Sequence, residues 1–183
     1  ATLYDAGLSE ANLCRASLRR TDFTGADLPE ADLRNVYAHA ATLNDVILCG
    51  ANFQEASFRR ATLCDSDLQG ANLSESLFEY TDLSGANLSE ANLADAILRG
   101  ADLSRAKLTG ADISDANIQD GDLKKAELNK SDLIGANLLN VVLCEADLSE
   151  ANLKEADIKQ SDISEAILTN TTLCEANLSE SDI

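Results

Sequence analysis

An apolar side chain recurs at every fifth residue of this chain, from Leu3 to Ile183, without a break in register. Of the 37 positions in this series, 36 are Leu, Ile or Phe, and the exception is Ala38. We number the residues of each repeat one to five, with this apolar centre at position three. Position one is Ala in 25 of the 37 repeats and otherwise small or β-branched, and position two is Asp or Asn in 22. A repeat that fills the whole chain determines its architecture.

A period of five fits neither a continuous α-helix nor a continuous β-strand. In a helix, side chains five residues apart would be scattered around the surface, and in a strand they would alternate between the two faces. If the chain bends once in every repeat, equivalent positions of successive repeats face the same way. Positions one and three then face inward, position two faces outward, and positions four and five form the corner. Seven glycines occupy position five, where glycine readily adopts a positive φ.

A chain that bends the same way every few residues winds into a solenoid whose coils pair as in a parallel sheet. This sequence resembles the pentapeptide-repeat family over all 183 residues, as in Ala26-Asp27-Leu28, Ala51-Asn52-Phe53, Ala101-Asp102-Leu103 and Ala151-Asn152-Leu153. The resemblance implies an all-β solenoid, a right-handed quadrilateral parallel β-helix of about nine coils, with four pentapeptide repeats in each coil. We expect residues 1–183 to form a single continuous domain. The regular, loop-free pattern looks most like that of cyanobacterial members, some lumenal and some linked to the regulation of cell differentiation.

The small centre at Ala38 leaves a deficit of volume in an otherwise uniform column. On the four-sided arrangement, the next centres in this column are Phe58 and Phe78, which are oversized and can lean into the gap. Because protein cores rarely keep large voids, we expect close packing here and not a ligand cavity.

The two ends of such a solenoid expose unpaired backbone edges and an open apolar core. Solenoids normally cap these surfaces. The sequence therefore favours either capping flanks outside residues 1–183 or end-to-end homo-oligomers.

The five cysteines each follow a centre directly and are expected to point outward. Cys14 and Cys174 share one side of the solenoid, and Cys64 and Cys144 share another, but both pairs are too far apart for a disulfide bond. This favours a reducing compartment, hence the cytoplasm, with the thylakoid lumen or the periplasm left open. No apolar run is long enough to cross a membrane.

The net charge of −18 is distributed unevenly among the four faces of the expected solenoid. Three faces carry 11, eight and nine acids, whereas the fourth face, with centres from Leu18 to Leu178 at twenty-residue steps, carries four acids and six bases. Arg, Tyr and exposed apolar side chains together suggest a contact patch. The candidate interaction face comprises Arg19, Arg20, Tyr37, His39, Arg59, Arg60, Leu77, Tyr80, Ile97, Arg99, Leu139 and Lys159. The alternative is chance, since one of four faces must be the least acidic.

The acidic faces allow two interpretations. Asp82, Asp102 and Asp122 are expected to stack on adjacent coils, where their negative charge either keeps the solenoid soluble or mimics DNA. The resemblance implies the second, because some pentapeptide-repeat proteins resemble B-form DNA and bind type II topoisomerases such as gyrase. Those relatives generally carry projecting loops, which this sequence lacks. Direct binding of nucleic acid is not expected, because phosphate contact requires a broad basic surface.

The sequence contains no arrangement that is typical of an enzyme. No nucleophile is paired with a histidine base, no phosphate-binding loop is present, and no cluster suggests a metal or a cofactor. His39, the only histidine, is expected on the surface. The sequence therefore predicts a non-enzymatic scaffold or regulatory protein–protein interaction module with an unidentified protein partner. The alternative is a DNA mimic that binds gyrase.

Overall fold

The computed structural model describes all of residues 1–183 and contains neither a helix nor an extended strand. Each repeat instead forms one β-bridge at position two and a turn at positions four and five. The bridges are parallel and join residues twenty apart, in an unbroken series from Thr2↔Asp22 to Asp162↔Asp182. Four repeats therefore lie between paired positions. A chain that bends every five residues leaves no room for a longer strand.

Backbone hydrogen bonds account for four of the five N–H groups in a repeat. In residues 81–85, positions one, two, three and five donate to carbonyl groups of the preceding turn or of adjacent coils, at 2.7 to 3.3 Å. Position four, here Ser84, has no backbone acceptor. The same holds for position four throughout the chain. Unpaired backbone donors are costly when they are shielded from water, so an acceptor for position four stabilises the repeat.

Asp or Asn at position two supplies that acceptor. Twenty of these side chains accept a hydrogen bond from the N–H of position four in their own repeat, at 2.8 to 3.3 Å. The other two are Asp27, which is followed by Pro29 at position four, and Asp182, whose repeat ends at Ile183. Proline has no N–H to donate. We call this contact the position-two cap.

Every corner of the solenoid uses a left-handed residue at position five. The seven glycines there have φ between 64° and 69°, which confirms the expectation from the sequence. The 29 other residues at this position also have positive φ, from 51° to 63°. A non-glycine residue in this conformation costs roughly 1–2 kcal/mol. The coil thus imposes the same left-handed corner on every residue at position five, and only the glycines adopt it without strain.

The core is a continuous column of side chains from positions one and three. Both positions are buried in every repeat from Thr21 to Ile163, which confirms the inward assignment. The buried apolar residues form one cluster of 51. Each fully buried leucine contributes roughly 1.5–3 kcal/mol relative to an exposed one. Centres of the first and last coils, such as Leu3 and Leu178, are only partly buried.

Large aromatic rings follow the small centre at Ala38. Ala38 is fully buried, and the rings of Phe58 and Phe78 stack with centroids 5.3 Å apart and planes 8° from parallel. Phe53 meets Phe58 edge to face at 5.2 Å. The one cavity in the structure opens on the outer surface. The deficit at Ala38 is therefore filled by packing.

Candidate interaction face

A depression of about 410 Å³ lies on the fourth face. Its lining consists of Arg19, Tyr37, His39, Ser57, Arg59 and Leu77. The bridges Tyr37↔Ser57 and Ser57↔Leu77 place the small Ser57 between two large side chains of one column. The hollow follows from this difference in size.

The structure brings five of the sequence-predicted residues together around this depression, namely Arg19, Tyr37, His39, Arg59 and Leu77. Ser57 was missed, because its contribution is a lack of bulk, whereas the candidate residues were selected for charged, aromatic or apolar side chains. Ile97 adjoins the same column through its bridge to Leu77. Leu139 and Lys159 lie further along the fourth face and do not line the depression.

Two tyrosine side chains of the fourth face are largely exposed. Tyr37 and Tyr80 have 57% and 58% of their surface accessible. The Tyr80 ring lies against Gly100, where a Cβ would come within 2.8 Å of two ring carbons. The absence of a side chain at Gly100 therefore leaves room for the Tyr80 ring to pack against the backbone. Exposed tyrosines of this kind are common at the centres of protein interfaces.

The arginines of the fourth face are only partly neutralised. Arg59 pairs with Glu79 at 2.7 Å, and Arg99 pairs with Asp120 at 3.3 Å. The hydrogen bond from Asn140 and, after it, the pairing with Arg99 lower the pKa of Asp120. Arg19, Arg20 and Arg60 have no carboxylate within ion-pair distance. Exposed cations without partners are available to a ligand.

The first five coils of the fourth face lack the position-two cap. Their position-two residues are Ser17, Tyr37, Ser57, Leu77 and Ile97. The N–H groups left without any acceptor in the protein belong to Arg19, His39, Arg59, Glu79 and Arg99. The cap returns at the next coil, where Asn117 accepts from Gln119 at 3.1 Å. On the other faces, no more than two successive coils each leave a position-four N–H without a cap, because Pro29, between the uncapped Ser9 and Cys49 of the second face, has no N–H. We call these five groups the uncapped amides.

The family model for pentapeptide repeats matches the chain in eight copies. Together these matches extend over residues 1–37, 31–70, 56–93, 66–105, 86–124, 126–164 and 156–183. The chain belongs to the pentapeptide-repeat family. No match was found among curated proteins.

Solved structures of pentapeptide-repeat proteins resemble this one over nearly its whole length. HetL, involved in heterocyst differentiation regulation in the cyanobacterium Nostoc sp. strain PCC 7120, is 29% identical with a TM-score of 0.67. That alignment covers 98% of this chain and 88% of HetL. A trypsin-treated form of QnrB1, a plasmid-mediated fluoroquinolone resistance protein, is 21% identical with a TM-score of 0.56, covering 96% and 87%. At that identity, the likeness to QnrB1 concerns the fold alone.

The acidic ladder of this pentapeptide-repeat protein is part of the capping system. Asp82, Asp102 and Asp122 are joined by successive bridges, as the sequence predicted. Each carboxylate accepts from position four of its own repeat, at 3.0, 2.9 and 2.8 Å. Desolvation alone would raise the pKa of Asp82, but the hydrogen bonds from Ser84 and Cys64 and the charge of Arg105 together outweigh it and lower that pKa. These half-buried oxygens therefore have a structural task that the sequence pattern did not reveal.

The cysteines are all free, and four of the five are partly buried. Burial, followed by the hydrogen bond to the Asp67 side chain and the negative charge of that carboxylate, raises the pKa of Cys49 to about 11. A thiol with this pKa stays protonated, and unreactive, at neutral pH. No group of His, Cys, Asp and Glu side chains is arranged to hold a metal ion. No helix has the length and apolar character needed to cross a membrane.

Proposed function

We propose that this pentapeptide-repeat protein is a non-enzymatic regulatory scaffold that binds a protein partner through the first five coils of its fourth face. The proposal treats residues 1–183 as one right-handed tube of square cross-section with about nine coils. The observation that carries it is the depression lined by Arg19, Tyr37, His39, Arg59 and Leu77. Free cysteines are consistent with the reducing cytoplasm as its location.

The composition of this region supports a contact with protein. In the first five coils, five arginines of the fourth face accompany a single acid, Glu79, so the local charge is +4 in a chain of −18. Arginine and tyrosine are the residues most often found at the energetic centres of interfaces. A basic patch on an acidic molecule also orients an approaching partner.

The likeness to HetL favours a regulatory role over a purely mechanical one. HetL matches almost the full length of this chain and is involved in heterocyst differentiation regulation. A rigid solenoid with one distinct face can regulate another protein by occupying part of its surface.

DNA mimicry with gyrase as the partner is the second candidate. The net charge of −18 and the stacked carboxylates of Asp82, Asp102 and Asp122 favour it. Against it, capping explains these carboxylates without a ligand. The two candidates use different faces, so one experiment separates them.

Affinity purification with the native chain and two charge-reversed variants tests the proposal. The first variant replaces Arg19, Arg20, Arg59 and Arg60 by Glu. The matched control replaces Arg15, Arg34, Arg105 and Lys107, which lie on other faces, by Glu. We expect a partner that binds the native chain and the control but is lost from the first variant. A partner kept by all three, or inhibition of gyrase supercoiling by all three, would contradict the assignment to the fourth face.

A further inference from the structure

We infer that the fourth face binds an acidic, partly apolar segment of its partner, whose carboxylates accept hydrogen bonds from the uncapped amides. The inference rests on the proposed function and specifies the chemistry of the partner. It begins from a local exception in the hydrogen-bonding pattern of the solenoid.

The hydrogen-bond acceptor that the uncapped amides lack is a carboxylate or carboxamide oxygen. Across the solenoid, a carboxylate or carboxamide oxygen at position two accepts from position four, as Asn117 does from Gln119 on this same face. Ser17, Tyr37, Ser57, Leu77 and Ile97 stand where those oxygens would be. Their place is on the outer surface, so an acceptor from another molecule can reach it. A carboxylate is the acceptor that forms the strongest hydrogen bonds with backbone N–H groups.

The geometry presents these amides as a row. Parallel bridges join Ser17, Tyr37, Ser57, Leu77 and Ile97 on successive coils. Neighbouring coils lie about 4.8 Å apart, so five amides extend over about 19 Å. The side chains of Arg19 and Arg59 occupy the same column as the amides, and Arg20 and Arg60 flank it. Arg59 already forms an ion pair with Glu79. Arg19, Arg20 and Arg60 therefore stay free to pair with carboxylates of the partner.

Exposed apolar groups indicate that the acidic ligand is a protein segment. Tyr37 and Ile97 have 57% and 36% of their surface exposed, and Leu77 lines the depression between them. Such groups match aliphatic or aromatic side chains of a peptide. An extended nucleic acid would pass beyond the patch onto faces with up to 11 acids, where phosphates are repelled.

Titration of the full chain, labelled with ¹⁵N, tests the inference by NMR. The probe is a synthetic peptide of alternating glutamate and leucine, about twelve residues long and thus sufficient to cover the row. We expect the amide resonances of Arg19, His39, Arg59, Glu79 and Arg99 to move downfield together. The capped amides of Gln119 and Leu139, on the same face, should not move. A peptide with glutamine in place of glutamate should bind at least about tenfold more weakly.

Restoring the missing caps provides the matched variant. Ser17→Asn with Ser57→Asn supplies two acceptors and removes no apolar contact. The control, Thr42→Asn with Thr172→Asn, adds the same group at uncapped coils of other faces. We expect both variants to be at least as stable as the native chain in urea. Only the first should bind the peptide at least about tenfold more weakly.

Three results would overturn the inference. The first is no binding of the glutamate–leucine peptide. The second is equal binding by the cap-restored variant, and the third is an equal response of the uncapped amides to a thymidine oligonucleotide of the same charge. Loss of the natural partner on arginine reversal, together with any of these results, would leave the proposed function standing and remove only the acidic-segment chemistry. Retention of the partner after arginine reversal would remove the proposed function itself.

Discussion

Asp or Asn at position two combines two roles in one residue. Its side chain reaches the surface, as the alternation within a repeat predicted, and it also accepts the one backbone N–H that the coils leave unpaired. The pattern alone could not reveal the second role, because it does not show which of the five amides lacks a partner. One signal was present in the sequence. The single proline, Pro29, stands at position four, the only position at which a missing N–H disturbs no backbone bond.

Removal of one cap should have a measurable effect on stability. Asn92→Ala takes away the acceptor of the Ala94 N–H, now held at 2.9 Å, and should lower the free energy of unfolding by about 1 kcal/mol. Asp27→Ala is the matched control, since Pro29 has no N–H to lose. Urea unfolding measures both. Equal losses in the two variants would show that the cap is not what stabilises the repeat.

The left-handed corners make a second prediction at the residue scale. Gly70→Ala and Gly100→Ala both force a β-carbon onto a φ of 64° to 66°, and each should destabilise the protein by about 1 kcal/mol. Nothing lies within 4 Å of the added carbon at Gly70, whereas at Gly100 it meets the Tyr80 ring. The ring resonances of Tyr80 should therefore shift in Gly100→Ala only. Unchanged Tyr80 resonances in that variant would argue against the packing of this ring on Gly100.

At the scale of the coil, the sequence predicted the buried columns and the turn positions, because both follow from spacing. It did not predict the depression. That feature depends on the small size of Ser57 between Tyr37 and Leu77 in one column, and the depth of a hollow follows from side-chain packing and not from spacing. The uncapped row was hidden for a different reason. The spacing does not show that the N–H of position four is the one that needs an acceptor from position two.

The packing around Ala38 gives a prediction at this scale. Ala38→Leu adds three carbons to a column already filled by Phe58, and such overpacking costs about 1–3 kcal/mol. Phe58→Leu alone should also destabilise, by removing ring contacts with Phe53 and Phe78. The double variant should lose less stability than the two single variants lose together, because the added leucine at position 38 can occupy the volume that the Phe58 ring vacates. Thermal unfolding of the three variants checks this, and strict additivity would indicate that the ring does not fill the gap.

At the scale of the whole molecule, the surplus of acids and the distinct fourth face are evident from the sequence. The pairing of Arg59 with Glu79 and of Arg99 with Asp120 was not predicted, because side-chain conformation decides which of the charges on adjacent coils meet. Exposed pairs of this kind add little to stability. They do determine which arginines of the fourth face stay unpaired and can bind a partner. End-to-end association of the tubes stays a prediction, and the mass in solution tests it.

Acid should destabilise the folded chain. Hydrogen bonds from Thr24 and Ser164 lower the pKa values of Asp22 and Asp162 below their ordinary 3.8, and the contact with Gln160 lowers that of Glu180 below 4.5. A group with a depressed folded pKa stabilises fully above its ordinary value, and this contribution is lost as the pH falls through the folded value. Urea midpoints should therefore decline below about pH 4. In Ser164→Ala, the pKa of Asp162 should rise towards 3.8. Stability that increases steadily on acidification would mean that charge repulsion dominates.

Amide hydrogen exchange of the free protein is the most direct test of the central claim, that the fourth face leaves a row of backbone donors open to a partner. The N–H groups of Arg19, His39, Arg59, Glu79 and Arg99 should exchange much faster than those of Gln119 and Leu139, which are capped on the same face. Equal protection of the two sets would contradict the account, because the row would then have acceptors of its own and no vacancy for a ligand to fill.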